Sequence, residues 1–186
     1  MGLLVAFMMM PVMSFSRDSM SFSSKAIEVV NITNGSDVVV EMSYNLTLGG
    51  TPKPQARPRL GRNGFVYAPG KKDMAALKAK IKGGINNIPI FGSNQPVVVN
   101  IKFFMRRPNT HFKGKDRRNA LRAGMPLAHV AVPDLDNVVK CVLDGMNELV
   151  YQDDKQVAKL VACKLFDSEG DCNGRTVVKV TKFNEE

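Results

Sequence analysis

Pro133-Asp134-Leu135-Asp136-Asn137 opens the stretch on which the reading of this chain turns, and Asp153-Asp154 closes it. Between them the apolar residues fall at Leu135, Val138, Val139, Val142, Leu143, Met146, Leu149 and Val150. That i, i+3, i+4, i+7 spacing predicts an amphipathic helix. An aspartate at 134 or 136 caps its start and suits its positive end. On extended chain, Asp134 and Asp136 point to one side and Leu135 to the other, into the core, because the strand period is two. The polar stripe carries Asp136, Lys140, Asp144 and Glu148, so Lys140 stands one helical turn from Asp136. Carboxylates gathered in a cationic chain suit a hard divalent ion such as Mg²⁺ or Mn²⁺. The same ladder is also an ordinary solvated helix face. Asp153-Asp154 favours the metal reading, provided the segment after it returns beside the helix as a neighbouring strand.

Charge along the 186 residues is uneven. The chain carries +9 overall, but residues 51–122 hold 17 Lys and Arg against Asp73 and Asp116 alone. Residues 134–186 hold seven basic and 11 acidic residues, a net of −4. A basic half beside an acidic cluster is the division a nuclease needs, with cations for phosphates and carboxylates for a metal. Cys141, Cys163 and Cys172 lack C-x-x-C spacing and suggest neither a zinc site nor a disulfide framework. A reducing, intracellular compartment is the simpler reading.

Residues 1–24 stand apart from a domain over 25–186. Leu3 to Met13 is an apolar run too short to span a bilayer, and a serine-rich stretch follows it. It reads as a disordered or targeting extension, an organellar transit peptide included. Ala26–Thr33 and Asp37–Leu48 flank Asn34-Gly35, a hairpin signal. Residues 51–72 form a basic loop with Arg57, Arg59, Arg62, Lys71 and Lys72, interleaved with Phe65 and Tyr67. It reads as a segment contacting DNA phosphates. Asp73–Lys82 reads as a short helix capped by Asp73, and Pro96–Met105 as an alternating strand. Residues 106–132 are a second basic arm with Arg106, Arg107, Lys113, Lys115, Arg117 and Arg118, and a connection that long is functional or disordered. Both histidines lie in it, and His129 is within reach of the metal region. Lys155–Phe166 fits a helix period, but its β-branched content favours a turn and a strand. Thr176–Phe183 is the final strand, and the two together predict a hairpin.

Asp134-Leu135-Asp136-Asn137, Lys140, Asp144 and Asp153-Asp154-Lys155-Gln156-Val157 resemble the signature of the RusA family of Holliday junction resolvases. Gly50-Thr51-Pro52-Lys53-Pro54-Gln55-Ala56-Arg57-Pro58-Arg59 resembles the G-x-P-x-x-Q-x-R-P-R opening of many members. The resemblance implies an α+β single domain with a mixed β-sheet of about four to five strands and two main helices. It implies a homodimeric, Mg²⁺-dependent endonuclease, with Mn²⁺ as a substitute, that cuts four-way DNA junctions by paired nicks in recombination and repair. Carried over by position, Asp134, Asp136 and Asp154 bind the metal, Lys140 is the essential lysine, and Asn137, Asp144 and Asp153 support them. The tract between Asp144 and Asp153 is one residue shorter than in the bacterial founder, so choosing Asp154 rests on the Asp-Asp-x-Gln-Val anchor. Such a protein works in the nucleus, an organelle or the cytoplasm, wherever its DNA is, and not in a membrane. Two other readings fit parts of the pattern: a junction-binding protein without catalysis, and a phosphotransferase of the haloacid dehalogenase type. The chain around the motifs is short for the latter fold.

Overall fold

The computed structural model describes residues 23–34, 37–67, 69–83, 85, 88–114, 120–169 and 171–184, with side chains from Met42 onward. The expected extension over 1–24 falls almost wholly outside them, as do Lys115, Arg117 and Arg118.

Two long strands, β1 (Ser23–Asn34) and β2 (Asp37–Gly49), pair antiparallel on either side of Asn34-Gly35. A small hairpin follows, β3 (Arg59–Leu60) with β4 (Val66–Tyr67), then α1 (Lys71–Lys82) and β5 (Val97–Met105). After the long arm come α2 (Leu135–Met146), β6 (Val157–Phe166) and β7 (Arg175–Lys182). The main sheet runs β1-β2-β7-β5-β6, with β5 and β6 parallel and the other pairs antiparallel. The architecture is the α+β mixed sheet with two helices that the resemblance implies.

Alternation decides which face of the sheet meets the helices. Tyr44, Leu46 and Leu48 of β2, Val97, Val99, Ile101 and Phe103 of β5, and Val178 and Val180 of β7 are buried in one core. Ile81 of α1 and Val138, Val142 and Met146 of α2 cover them. The two helices touch at Gly145, where a Cβ would come within 2.7 Å of Leu77 Cδ2.

Four expectations are corrected. The last two strands do not form a hairpin, because β5 lies between them and α2 is the crossover of a parallel β5-α2-β6 unit. A parallel partner needs such a crossover, and the helical pattern over 135–146 supplies it. Asp73 does not cap α1. Gly70 holds that position, and Asp73 sits in the first turn, paired with Lys53 at 2.9 Å. Leu135 is 36% exposed rather than in the core. The helix stops at Met146, where Glu148 turns the chain at φ +67°, so Leu149 and Val150 are buried from the turn instead of the helix. Among the described residues, no helix is long and apolar enough to cross a membrane, and Cys141, Cys163 and Cys172 form no disulfide.

Candidate active site

Asp134 sits at the N-cap of α2 in extended conformation, φ −66° and ψ 147°, and its carbonyl accepts from Val138 N at 3.2 Å. Its carboxylate makes no capping hydrogen bond, and both oxygens are uncommitted among the described residues. Asp136 follows in the first turn, exposed, where the positive helix end favours a negative charge. Lys140 is one turn further and its Nζ lies 3.7 Å from Asp144 Oδ1.

Asp153 and Asp154 are held at the far side by a compact turn. Asp153 caps the short 3-10 helix Asp154–Gln156, its Oδ1 accepting from Lys155 N at 3.0 Å. Gln156 is buried and uses its whole amide. Its Oε1 accepts from Gln152 N at 2.8 Å and Asp153 N at 3.2 Å, and its Nε2 donates to Gly92 O at 2.7 Å and Gln95 O at 3.0 Å. Asp153 is therefore engaged in its own turn, whereas the Asp154 carboxylate makes no hydrogen bond or ion pair among the described residues.

The return of the chain into β6 brings Asp136, Lys140 and Asp154 onto the wall of one open cleft of about 580 Å³. Its floor is Val139, Leu143, Leu160 and Ala162. Asp134 stands at the helix start outside that lining. Tyr151 lies beneath, donating to Leu143 O at 3.1 Å. Burial holds its hydroxyl neutral far above the ordinary range, and the negative charges of Asp154 and Asp144 push the same way. Among the described residues, no three His, Cys, Asp or Glu side chains stand close enough together to form a metal cluster. The donors nevertheless fit Mg²⁺, which is commonly bound through one or two carboxylates with water and substrate phosphate filling the other positions.

The first basic segment is tied to the helix that walls this cleft. Gln55 N donates to Asn137 O at 3.3 Å, which ties the Pro54–Arg59 tract to the first turn of α2. Arg57, Arg59, Arg62, Lys71, Lys72, Arg106 and Lys113 are exposed, and none makes an ion pair among the described residues. Arg107 leaves the expected phosphate-facing set. It is 2% exposed and donates to Asp167 O at 2.9 Å, Pro126 O at 3.1 Å and His111 at 3.2 Å. Its guanidinium also stacks over Phe166 at 5.1 Å. Arg107 thus anchors the long arm to the sheet. His129 packs edge-on against the same Phe166 ring at 4.7 Å, so it belongs to this anchor and not to the cleft.

Lys164 is a residue that sequence reasoning passed over. From near the C-terminal end of β6 its Nζ donates to Ala131 O at 2.6 Å and to Pro133 O, clamping two carbonyls of the segment that leads into Asp134. Nothing in the sequence marks it among the chain's lysines. Gln156 carried a signal, the Asp-Asp-x-Gln-Val order, but not its role.

The sequence model described as Endodeoxyribonuclease RusA matches residues 49–181. Uncharacterized protein YqaN of Bacillus subtilis (strain 168) is 33% identical over 130 residues, which cover 66% of this chain and 87% of that protein. Every candidate residue of the cleft lies inside both the matched range and the described structure.

Proposed function

The chain belongs to the RusA family of endodeoxyribonucleases, and on that premise we propose that it is a Mg²⁺-dependent resolvase cutting four-way DNA junctions by paired nicks in recombination and repair. The observation that carries this reading is the shared cleft. Asp136, Lys140 and Asp154 line it, the uncommitted Asp134 stands at its edge, and an acid-free cationic tract is tied alongside.

Asp136 and Asp154 would hold the divalent ion, with Asp134 at the rim. When bound, such an ion supplies Lewis acidity and counter-charge to a phosphodiester. The rest falls to the chain's own side chains. Lys140 has an exposed ammonium on the same wall and stabilises negative charge growing on the phosphate or the leaving oxygen. Arg57, Arg59, Arg62, Lys71 and Lys72 hold the backbone without reading bases. The turn built on Gln156 fixes Asp154, and the Lys164 clamp fixes the backbone entering Asp134.

A homodimer suits the substrate, since a twofold axis addresses two symmetric strands together. The free outer edge of β6 supports self-association. Residues 127–129 cover only its C-terminal end, while Leu160 and Val161 stay exposed on the rest. A second β6 would extend the sheet there.

The test is incubation of purified protein with a labelled four-way junction in Mg²⁺ or EDTA. Cleavage is expected only with Mg²⁺. Asp134→Asn and Asp154→Asn should each keep junction binding and abolish cleavage. Cleavage surviving in either variant overturns that residue's assignment, and turnover in EDTA overturns the metal requirement.

A further inference from the structure

The β3–β4 hairpin belongs to neither the main sheet nor the cleft. Arg59 pairs with Tyr67 and Leu60 with Val66, and the tip is closed by Gly61 N to Phe65 O at 2.8 Å and Gly64 N to Gly61 O at 3.0 Å. On this small projection Leu60 is 74% exposed, Phe65 78%, Val66 70% and Tyr67 49%. Alternation sets Leu60 and Val66 on one face of the projection and Phe65 and Tyr67, with Arg59 opposite Tyr67, on the other, so both faces expose apolar surface of the kind that marks an interaction site.

Its root is fixed. Gly70 lies where a Cβ would meet Ala56 Cβ at 2.7 Å, so the two arms of the hairpin touch at the base. Gln55 N binds Asn137 O in the first turn of α2, which seats the projection next to the candidate carboxylates.

The chemistry of the patch selects its occupant. Arg57, Arg59 and Arg62 are exposed among the apolar residues, and no acid occurs between Thr51 and Lys72. Intact duplex offers phosphates to the arginines but keeps its base faces stacked away from Phe65 and Tyr67. A protein surface offers apolar area but not a matching row of anions. A branch point in DNA offers both at once, with backbones converging and bases free to unstack. Resting on the junction-cleaving reading above, we propose that the hairpin is a branch-point wedge. Phe65 and Tyr67 stack on unstacked bases while Arg57, Arg59 and Arg62 hold the surrounding phosphates. Insertion into linear duplex would have to disrupt stacking first, so the wedge favours branched over linear DNA.

The chain has no tryptophan, so Phe65→Trp creates a unique fluorophore. Full-length protein is titrated in EDTA, to prevent cleavage, with a four-way junction and with linear duplex of the same sequence. The introduced indole should be quenched by the junction and not by the duplex. Phe65→Ala should weaken junction binding about ten-fold, the loss of roughly one stacked base, and leave duplex binding unchanged. Arg62→Ala should weaken both. An indole unaffected by the junction, or equal losses for both DNAs in Phe65→Ala, overturns the wedge. So does a change of oligomeric state in Phe65→Ala by light scattering, which would make the patch a self-association surface. If the unmodified protein binds junction no better than duplex, the parent reading fails, and this inference with it.

Discussion

Replacing Lys164 with methionine keeps the aliphatic stem and removes only the ammonium that clamps Ala131 O and Pro133 O. A hydrogen bond from a charged donor is worth about 1.5–3 kcal/mol net. Here the two acceptors differ. Ala131 is exposed and its carbonyl regains water, whereas Pro133 is half-buried, so the loss should be close to one such bond, about 2 kcal/mol. For a domain of this size that corresponds to a fall in Tm of about 4–8 °C. The functional consequence should be larger. Asp134 follows Pro133 directly, and a displacement of about 1 Å at a reacting centre can cost on the order of a hundred-fold in rate. Lys164→Met should therefore cut junction cleavage at least ten-fold, require more Mg²⁺ for half-maximal rate, and leave junction affinity in EDTA within two-fold. Lys164→Arg retains a cationic donor and should recover part of the rate at unchanged affinity. Differential scanning calorimetry and single-turnover cleavage across a Mg²⁺ series read all of these. Unchanged Tm and cleavage in Lys164→Met would refute the clamp, and a parallel loss of junction binding would mean that Lys164 contacts DNA instead.

Three further outcomes follow from buried groups. Gln156→Leu leaves Gln95 O and two backbone N–H groups without these partners, and Gly92 O with only the Gln95 N–H at 3.3 Å, so it should cost about 3 kcal/mol by urea denaturation and abolish cleavage by releasing Asp154. Arg107→Met should also cost about 3 kcal/mol, yet leave the affinity of the still-folded protein for DNA unchanged, because the guanidinium faces carbonyls and Phe166 rather than solvent. The third concerns pH. Burial, then the Lys164 charge, lowers the pKa of His129 below its ordinary 6.5. The unfolded chain then takes up the proton first, so this stabilisation is complete above about pH 6.5 and is lost as pH falls through the folded value. Burial raises Tyr44 from 10.0 to about 12, so its contribution is complete below pH 10 and lost by about pH 12. Melting curves of His129→Phe and Tyr44→Phe against the parent should diverge at opposite ends of the pH range. Because the buried Tyr44 hydroxyl has no hydrogen-bond partner among the described residues, Tyr44→Phe should not lower Tm at pH 7.

Elements whose side chains repeat with a fixed period were legible from the chain alone. The 3.6-residue stripe named α2, and strict alternation named β5, because each period follows from backbone geometry before any partner is chosen. Pairing was less legible. Nearness in sequence suggested a β6–β7 hairpin, yet a parallel β6 requires the α2 crossover, and only one edge of β5 was open to it once β7 had taken the other.

The sequence by itself determined the helix, the alternating strands, the segregation of cations from carboxylates and the family signature, since all of these are properties of order along the chain. Tertiary structure alone decided which cations are free. Arg106 and Arg107 are adjacent and chemically identical, but one reaches solvent while the other is enclosed by Phe166, the nearby His111 and two carbonyls brought from further along the chain, Pro126 O and Asp167 O. It alone also brought Asp136 and Asp154 to one cleft and set Lys164 against Pro133. Burial and hydrogen-bond satisfaction depend on what the folded chain carries to a point in space, and no local pattern encodes that.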